Sequence, residues 1–193
     1  LLLVVMVAAA ASRALAAVGA NAIGINVHLP HSSLHLIDKA AEAGIQWVRV
    51  DGNWELFEPV DVTDVPVGSR TSSVAYDEGS YTWDLMDLVV CRAHEDGLQV
   101  YMTLGYTPCW ASTNPAAPTC GPTEPVLGKY DAFVFAAVRH YADGVDCGAA
   151  GTARVGHFGI WNEANLDGFW TGTTVAYRDD ILVPGAAAVR AAC

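Results

Sequence analysis

Positive charge is scarce in this 193-residue chain: ten Lys and Arg face 21 Asp and Glu, for a formal net charge of −11. So acidic a surface repels phosphate backbones and anionic lipid heads, which argues against nucleic acid and membrane surfaces as partners. Charge of either sign is sparse, at 16% of residues against 52% hydrophobic. Such a chain can bury enough apolar area to fold, so intrinsic disorder is excluded. Long apolar runs are missing too; the run from Leu1 to Ala10 is about half of the roughly twenty residues that span a bilayer. No Cys-x-x-Cys pair with zinc spacing occurs, which leaves a structural zinc site without support. Nor does a Gly-rich phosphate turn follow the first apolar strand, where Leu29-Pro30-His31-Ser32 stands instead.

The apolar run leads into Ala11-Ser12-Arg13 and then Ala14-Leu15-Ala16, a small-x-small pattern. This reads as the h-region and cleavage site of a secretory signal, with a buried Ala-rich helix as the alternative. No Met or basic segment precedes Leu1, so the signal is expected to be incomplete at its start. Residues 1–17 are assigned to it and 18–193 to one folded domain. Export implies an extracellular, oxidising location, where the five cysteines can pair. Cys109 and Cys120 lie in one Pro-, Thr- and Asn-rich loop and can staple it. Cys91 and Cys147 each fall near the end of a predicted helix and could meet there, although spacing alone does not fix connectivity. Cys193, the odd one, is expected either to lack its partner or to be a buried thiol.

A unit of strand, loop, amphipathic helix and glycine then repeats. The first strand is Ala22–His28, after which Ser32 or Ser33 can cap a helix through Leu34, Ile37 and Ala41 that Gly44 ends. The second strand is Ile45–Asp51. A second helix starts near Thr82 and stops at Gly97, and Leu98–Leu104 reads as the third strand. A third helix carries Tyr130, Val134, Ala137, Val138 and Tyr141 on one stripe and ends at Gly144. The fourth strand is Val155–Trp161. Residues 175–192 look helical but are expected to be interrupted by Pro184-Gly185.

This alternation argues for parallel β/α units in an α/β fold. The loops that follow strands are long, near Gly52–Tyr81 and Gly105–Lys129, while the turns at Gly44 and Gly97 are minimal. In a β/α barrel the long side builds the active site, so an eight-fold β/α (TIM) barrel is preferred to a doubly wound sheet. The chain falls short of the roughly 250 residues of such a barrel. It is expected to be the N-terminal half, the first four units, since an isolated half would expose two sheet edges. A natural half-barrel that closes by dimerising is the alternative; the oligomeric state is not legible.

Chemistry concentrates in Trp161-Asn162-Glu163-Ala164-Asn165, at the tip of the fourth strand. A carboxyl at a barrel mouth beside an amide and large aromatics suits general acid work. Phe158, Trp161 and Trp170 are expected to lower polarity around Glu163 and keep it protonated. The plainer reading has Glu163 starting a helix, where the dipole favours a carboxylate.

These residues resemble the retaining glycoside hydrolases of clan A, most closely the family 39 group of β-xylosidase and α-L-iduronidase type. The resemblance runs over Gly24–Ala192. It rests on Trp47-Val48-Arg49, Trp54, Glu58-Pro59, Tyr81-Thr82-Trp83-Asp84, Gly97-Leu98-Gln99-Val100, Pro108-Cys109-Trp110-Ala111, Ile160–Asn165 and Gly168-Phe169-Trp170. It implies hydrolysis of O-glycosyl bonds in a poly- or oligosaccharide by retaining double displacement, with no cofactor and no metal. By the same resemblance Glu163 is the acid/base, Asn162 contacts the sugar 2-hydroxyl, and Arg49 steadies the nucleophile. The family's nucleophile is a Glu on the seventh strand, expected beyond the C-terminal end of this chain, which leaves the fragment inactive alone. Such enzymes need two carboxyl groups roughly 5 Å apart. Two departures are Ala164, where the family has Pro, and a longer segment between Pro59 and Tyr81.

His28, at the tip of the first strand, is expected to line the sugar site. His31 and His35 sit one helical turn apart without carboxylate or cysteine partners, so a metal site is disfavoured. Trp54, Trp110 and Trp170 can stack on a sugar or pack in the core; Trp110 and Trp170 are assigned to sugar contact. Glu58 is read as a structural hydrogen-bonding group and Asp51 as a loop cap. Two rival functions remain: a catalytically inactive carbohydrate-binding barrel or scaffold, and a metal-dependent barrel hydrolase.

Overall fold

The computed structural model describes residues 23–28, 33–59 and 81–193. The assigned signal, Ala22, His31, Ser32 and the segment between Pro59 and Tyr81 lie outside them. Four parallel strands form one sheet: β1 (Gly24–Val27), β2 (Trp47–Asn53), β3 (Gln99–Gly105) and β6 (His157–Ile160), in the order β1-β2-β3-β6. They correspond to the four strands read from the sequence. Each neighbours its predecessor in the sheet, and the intervening chain carries α1 (Ser33–Glu42), the short α2 (Trp54–Phe57) with α3 (Asp84–Glu95), and α4 (Lys129–Asp143). A doubly wound sheet would instead reverse its order partway. The winding here is of barrel type.

Alternation along β2 shows how the two faces differ. Val48 and Val50 are fully buried on one face, while Trp47, Arg49 and Asp51 are half-buried on the other. Side chains of a strand alternate in direction, so the pattern Val-x-Val fixes the helix-facing side. There Val48, Val50, Met102 and Leu104 meet Ile37, Val89 and Val134 in one core. The opposite face carries Asn26, Arg49 and Thr103, with no helix over it among the described residues.

The turns into β2 and β3 share one geometry. Gly44 and Gly97 have φ of 77° and 74°, a left-handed conformation that glycine adopts without penalty. In each, the next residue donates to a carbonyl in the last helical turn, Ile45 to Ala40 at 3.0 Å and Leu98 to Ala93 at 2.8 Å.

Three features differ from the sequence reading. Between Gly144 and β6 lies a small hairpin, β4 (Val145–Asp146) with β5 (Thr152–Ala153), whose two-residue strands are too short for any periodic signal. It carries Cys147, bonded to Cys91 in the second half of α3, while Cys109–Cys120 closes its loop as anticipated. Cys193 is exposed, which corrects its reading as a buried thiol. The third difference is in the last helix. Pro184-Gly185 does not interrupt it: α5 (Thr174–Ala176), a π stretch (Tyr177–Leu182) and α6 (Val183–Ala192) run on without a break. Pro184 comes directly after the π stretch, whose wider turn relieves the ring's clash with the preceding carbonyls. Gly185 has a packing role, since a Cβ there would sit 3.1 Å from the Tyr130 ring and 3.2 Å from Ile160.

Tyr130 is buried and donates its hydroxyl to the Leu104 carbonyl at 2.8 Å. Burial pushes its phenol above the usual tyrosine range.

Two expectations follow from this packing. Replacing Cys91 and Cys147 together by Ser opens a loop spanning 56 positions and should lower the unfolding free energy in urea by about 4 kcal/mol. A midpoint equal to the wild type would show that the bridge contributes nothing. The Tyr130 shift favours the folded state below about pH 10, and that contribution is lost as pH rises further. Stability measured from pH 8 to 11 should therefore fall more steeply in the wild type than in Tyr130→Phe; parallel curves would contradict it.

Candidate active site

Arg49 projects from β2 onto the open face, where a guanidinium needs acceptors for its donors. Its Nε donates to Thr103 Oγ1 on β3 at 2.8 Å, and its Nη2 donates to Asn162 Oδ1, just past β6, at 2.7 Å. The same Nη2 lies 3.5 Å from Asp51 Oδ1. Asp51 in turn pairs through Oδ2 with His28 Nδ1 at 2.6 Å, and Asn26 Nδ2 donates to His28 Nε2 at 3.1 Å. With Nε2 accepting, the ring donates from Nδ1 to the carboxylate. One polar chain therefore crosses the C-terminal ends of all four strands, from Asn26 to Asn162.

Glu163 follows at once, and Asn162 Nδ2 donates to its Oε2 at 3.5 Å. Backbone geometry explains how two polar side chains reach the open face directly after a buried strand. Trp161 has φ of 62° and Glu163 of 42°, so the chain turns sharply on either side of Asn162. Trp161 swings into the core, edge-on to Tyr130 and Trp170, and its backbone N–H donates to the Leu104 carbonyl at 2.8 Å. The remaining non-glycine residue with positive φ among the described residues is Tyr106, at 68°, directly after β3. Left-handed backbone at bulky residues is costly and collects at functional sites.

Tyr106 stands beside the same group of side chains and senses the charges of Asp51 and Arg49. Its phenol is held above the usual range, first by burial and then by the carboxylate of Asp51, against the opposing effects of Asn162 and Arg49. The site thus brings together the predicted Glu163, Asn162, Arg49 and His28. It adds Asp51, Thr103 and Tyr106. Asp51 had a readable signal, since it lies two residues beyond Arg49 and shares its face. Tyr106 had only its place after a strand end.

Several expectations are corrected. Asp51 is no loop cap; it holds His28 and Arg49. The apolar pocket around Glu163 is absent: Glu163 is exposed, Phe158 lies beside Met102 on the helix-facing side, and Trp161 is buried. Trp170, assigned to sugar contact, is 4% exposed and packs between Trp161 and Tyr177, so its ring has no open face. Nor does Glu163 start a helix, because the next one begins at Thr174.

Other assignments are located without conflict. Trp110 is half-buried, donates Nε1 to the Glu58 carbonyl at 2.9 Å and has Lys129 Nζ 5.7 Å from its ring centroid. Trp54 is core, and Glu58, 1% exposed, accepts from Trp54 Nε1 at 2.6 Å, the structural bond expected of it. His35 is exposed on α1.

No protein-family model matches the sequence, and no curated protein does. Solved structures do match. A GH39 enzyme from Xanthomonas axonopodis pv. citri superposes with a TM-score of 0.59 at 20% identity, over 88% of this chain and 33% of its own. A glucosidase from Croceicoccus marinus gives 0.52 at 21% identity, over 80% of this chain and 30% of its own. A family 39 glycoside hydrolase from the gut symbiont Bacteroides cellulosilyticus is more loosely similar, with a TM-score of 0.49 at 19% identity, over 89% of this chain and 28% of its own. By the first two, the chain has the fold of part of such proteins and spans about a third of their length.

Arg49→Lys keeps the charge but not the fork that bonds Thr103 and Asn162 together. It should lower unfolding stability by about 1–2 kcal/mol through a polar partner left unmatched. Urea titration checks this, and an unchanged midpoint would show that the fork carries no stability.

Proposed function

We propose that this chain is the acid/base-bearing part of a secreted, retaining glycoside hydrolase of family 39 type. The observation that carries the reading is the Arg49–Asn162–Glu163 chain, set at the C-terminal ends of β2 and β6 of a singly wound parallel sheet. In β/α barrels that end is where catalytic side chains gather. The fold likeness to a GH39 enzyme supports the same assignment.

In this proposal further β/α units close the sheet into an eight-stranded barrel. Apolar side chains stand exposed on both flanks, Ile23 and Ile25 by β1 and Val175, Leu182 and Val183 along the last helix, as surfaces awaiting neighbours would be. A Glu from a later strand is the nucleophile. It attacks the anomeric carbon while Glu163 protonates the departing oxygen; Glu163 then takes a proton from the water that releases the sugar. Asn162 holds the sugar 2-hydroxyl, Arg49 steadies the nucleophile's charge, and His28 and Trp110 line the cleft. Trp170 keeps a packing role. No cofactor enters the scheme. The two disulfides support an oxidising, extracellular location, and no helix among the described residues is long and apolar enough to cross a membrane.

Glu163→Gln in the full-length protein tests the assignment. Turnover of a glycoside with a poor leaving group should fall roughly 10²- to 10⁴-fold, the usual worth of a general acid. Activated aryl glycosides should lose less, because their leaving groups need little protonation. Unchanged turnover removes Glu163 from its role, whereas sugar binding without turnover in the wild type would favour an inactive binding barrel.

A further inference from the structure

We propose that Thr171 is a positioning residue for Glu163, tying the loop that carries this carboxyl to the disulfide-closed loop after β3. Glu163 is exposed, and the bond from Asn162 Nδ2 to its Oε2 is long, at 3.5 Å. So weak a contact leaves the carboxyl to be placed by its own backbone. That backbone belongs to residues 161–173, between β6 and α5. Much of the stretch binds only itself. Leu166 N–H donates to the Glu163 carbonyl and Phe169 N–H to the Leu166 carbonyl, both at 2.9 Å, and Trp161 Nε1 donates to the Phe169 carbonyl at 2.8 Å. Such bonds shape a loop without fixing where it sits. Its start is held by the Trp161 N–H on the Leu104 carbonyl at 2.8 Å. Near its far end Thr171 donates twice to the Pro122 carbonyl, from N–H at 2.8 Å and from the hydroxyl at 3.2 Å. Glu124 closes against the same place, since a Cβ on Gly172 would overlap its carboxylate.

The loop that receives Thr171 is built to stay in place. It buries three hydroxyls, those of Thr107, Ser112 and Thr123, which the mechanism does not use. Thr107 donates its N–H to the Gly121 carbonyl at 3.0 Å and its hydroxyl to the Thr123 carbonyl at 2.6 Å. The Thr123 hydroxyl donates to the Cys120 carbonyl at 2.6 Å and so accepts from the Ser112 hydroxyl, also at 2.6 Å. Each buried hydroxyl has its partner, and a satisfied buried network specifies one arrangement. Pro122 stands between Gly121 and Thr123, both bonded into that network, and the Cys109–Cys120 bridge closes the loop around them. The Pro122 carbonyl is therefore a fixed point. Thr171 carries that fixity to the loop of Glu163.

The kinetic test rests on the glycosidase reading; a second measurement does not. Thr171 is exposed, and Thr171→Val keeps its shape while losing the hydroxyl. In the full-length enzyme kcat/KM for a glycoside with a poor leaving group should fall about three- to tenfold, the worth of one neutral hydrogen bond. An activated aryl glycoside, whose leaving group needs little protonation, should keep its kcat/KM. Thr171→Ser retains the donor and should keep both values. Equal losses on the two substrates mark a merely structural contact and overturn the proposal, as does no loss on either. Should the wild type cleave no glycoside, the functional reading fails and the backbone decides. The Leu166 amide, bonded to the Glu163 carbonyl, should exchange its hydrogen about three- to tenfold faster in Thr171→Val than in the wild type. An unchanged rate overturns the proposal.

Discussion

A guanidinium on the uncovered face of a sheet is the constraint from which the rest of the site follows. Arg49 has a fork of donors in fixed geometry. Thr103, Asn162 and Asp51 meet that fork from β3, from the end of β6 and from β2 itself. Satisfying one charge thus ties three strands together at the same height, and Asp51 extends the tie to His28 on the fourth. The apolar core on the opposite face supplies most of the cohesion, since burial of Val48, Val50, Met102 and Leu104 is favourable wherever helices cover them. That term is indifferent to which polar groups converge above the sheet. The guanidinium sets their arrangement.

The carbonyl of Leu104 connects the two faces. It accepts the N–H of Trp161 and the hydroxyl of Tyr130, so the exit of β6 is gripped by the end of β3 and by α4 together. Trp161 is thereby held in the core and the next residue is obliged to turn outward. Left-handed backbone at Trp161 and Glu163 is the local cost of that turn.

Much of this was legible in the sequence because it is periodic. Val-Arg-Val-Asp announces a strand with an apolar and a polar face, and Gly44 and Gly97 announce the turns before β2 and β3. The loop disulfide followed from proximity in the chain. What escaped has no period. Hairpin strands of two residues leave no pattern, and the burial of Trp170 depends on Trp161 and Tyr177, which no spacing relates to it. Glu163 was placed correctly at the strand tip. The apolar pocket was not, because Phe158, Trp161 and Trp170 all pack toward the core while the chain turns Glu163 outward after the positive φ of Trp161. Pro184 misled for a related reason, since a helix that widens to a π turn absorbs what a regular one cannot.

Strand order and chain order coincide in this sheet. A nascent polypeptide emerges N-terminus first, so β2, β3 and β6 each arrive after the neighbour they pair with has been synthesised. Assembly can follow translation, and no completed strand has to wait for a distant partner across a long, entropically costly loop. The exception is the outer edge of β1, four residues long, with exposed Ile25 in it and exposed Ile23 just before it, whose second neighbour never comes from within this series. During synthesis it is the edge that stays open longest, and the point at which a chaperone or a stray strand would find backbone to bind.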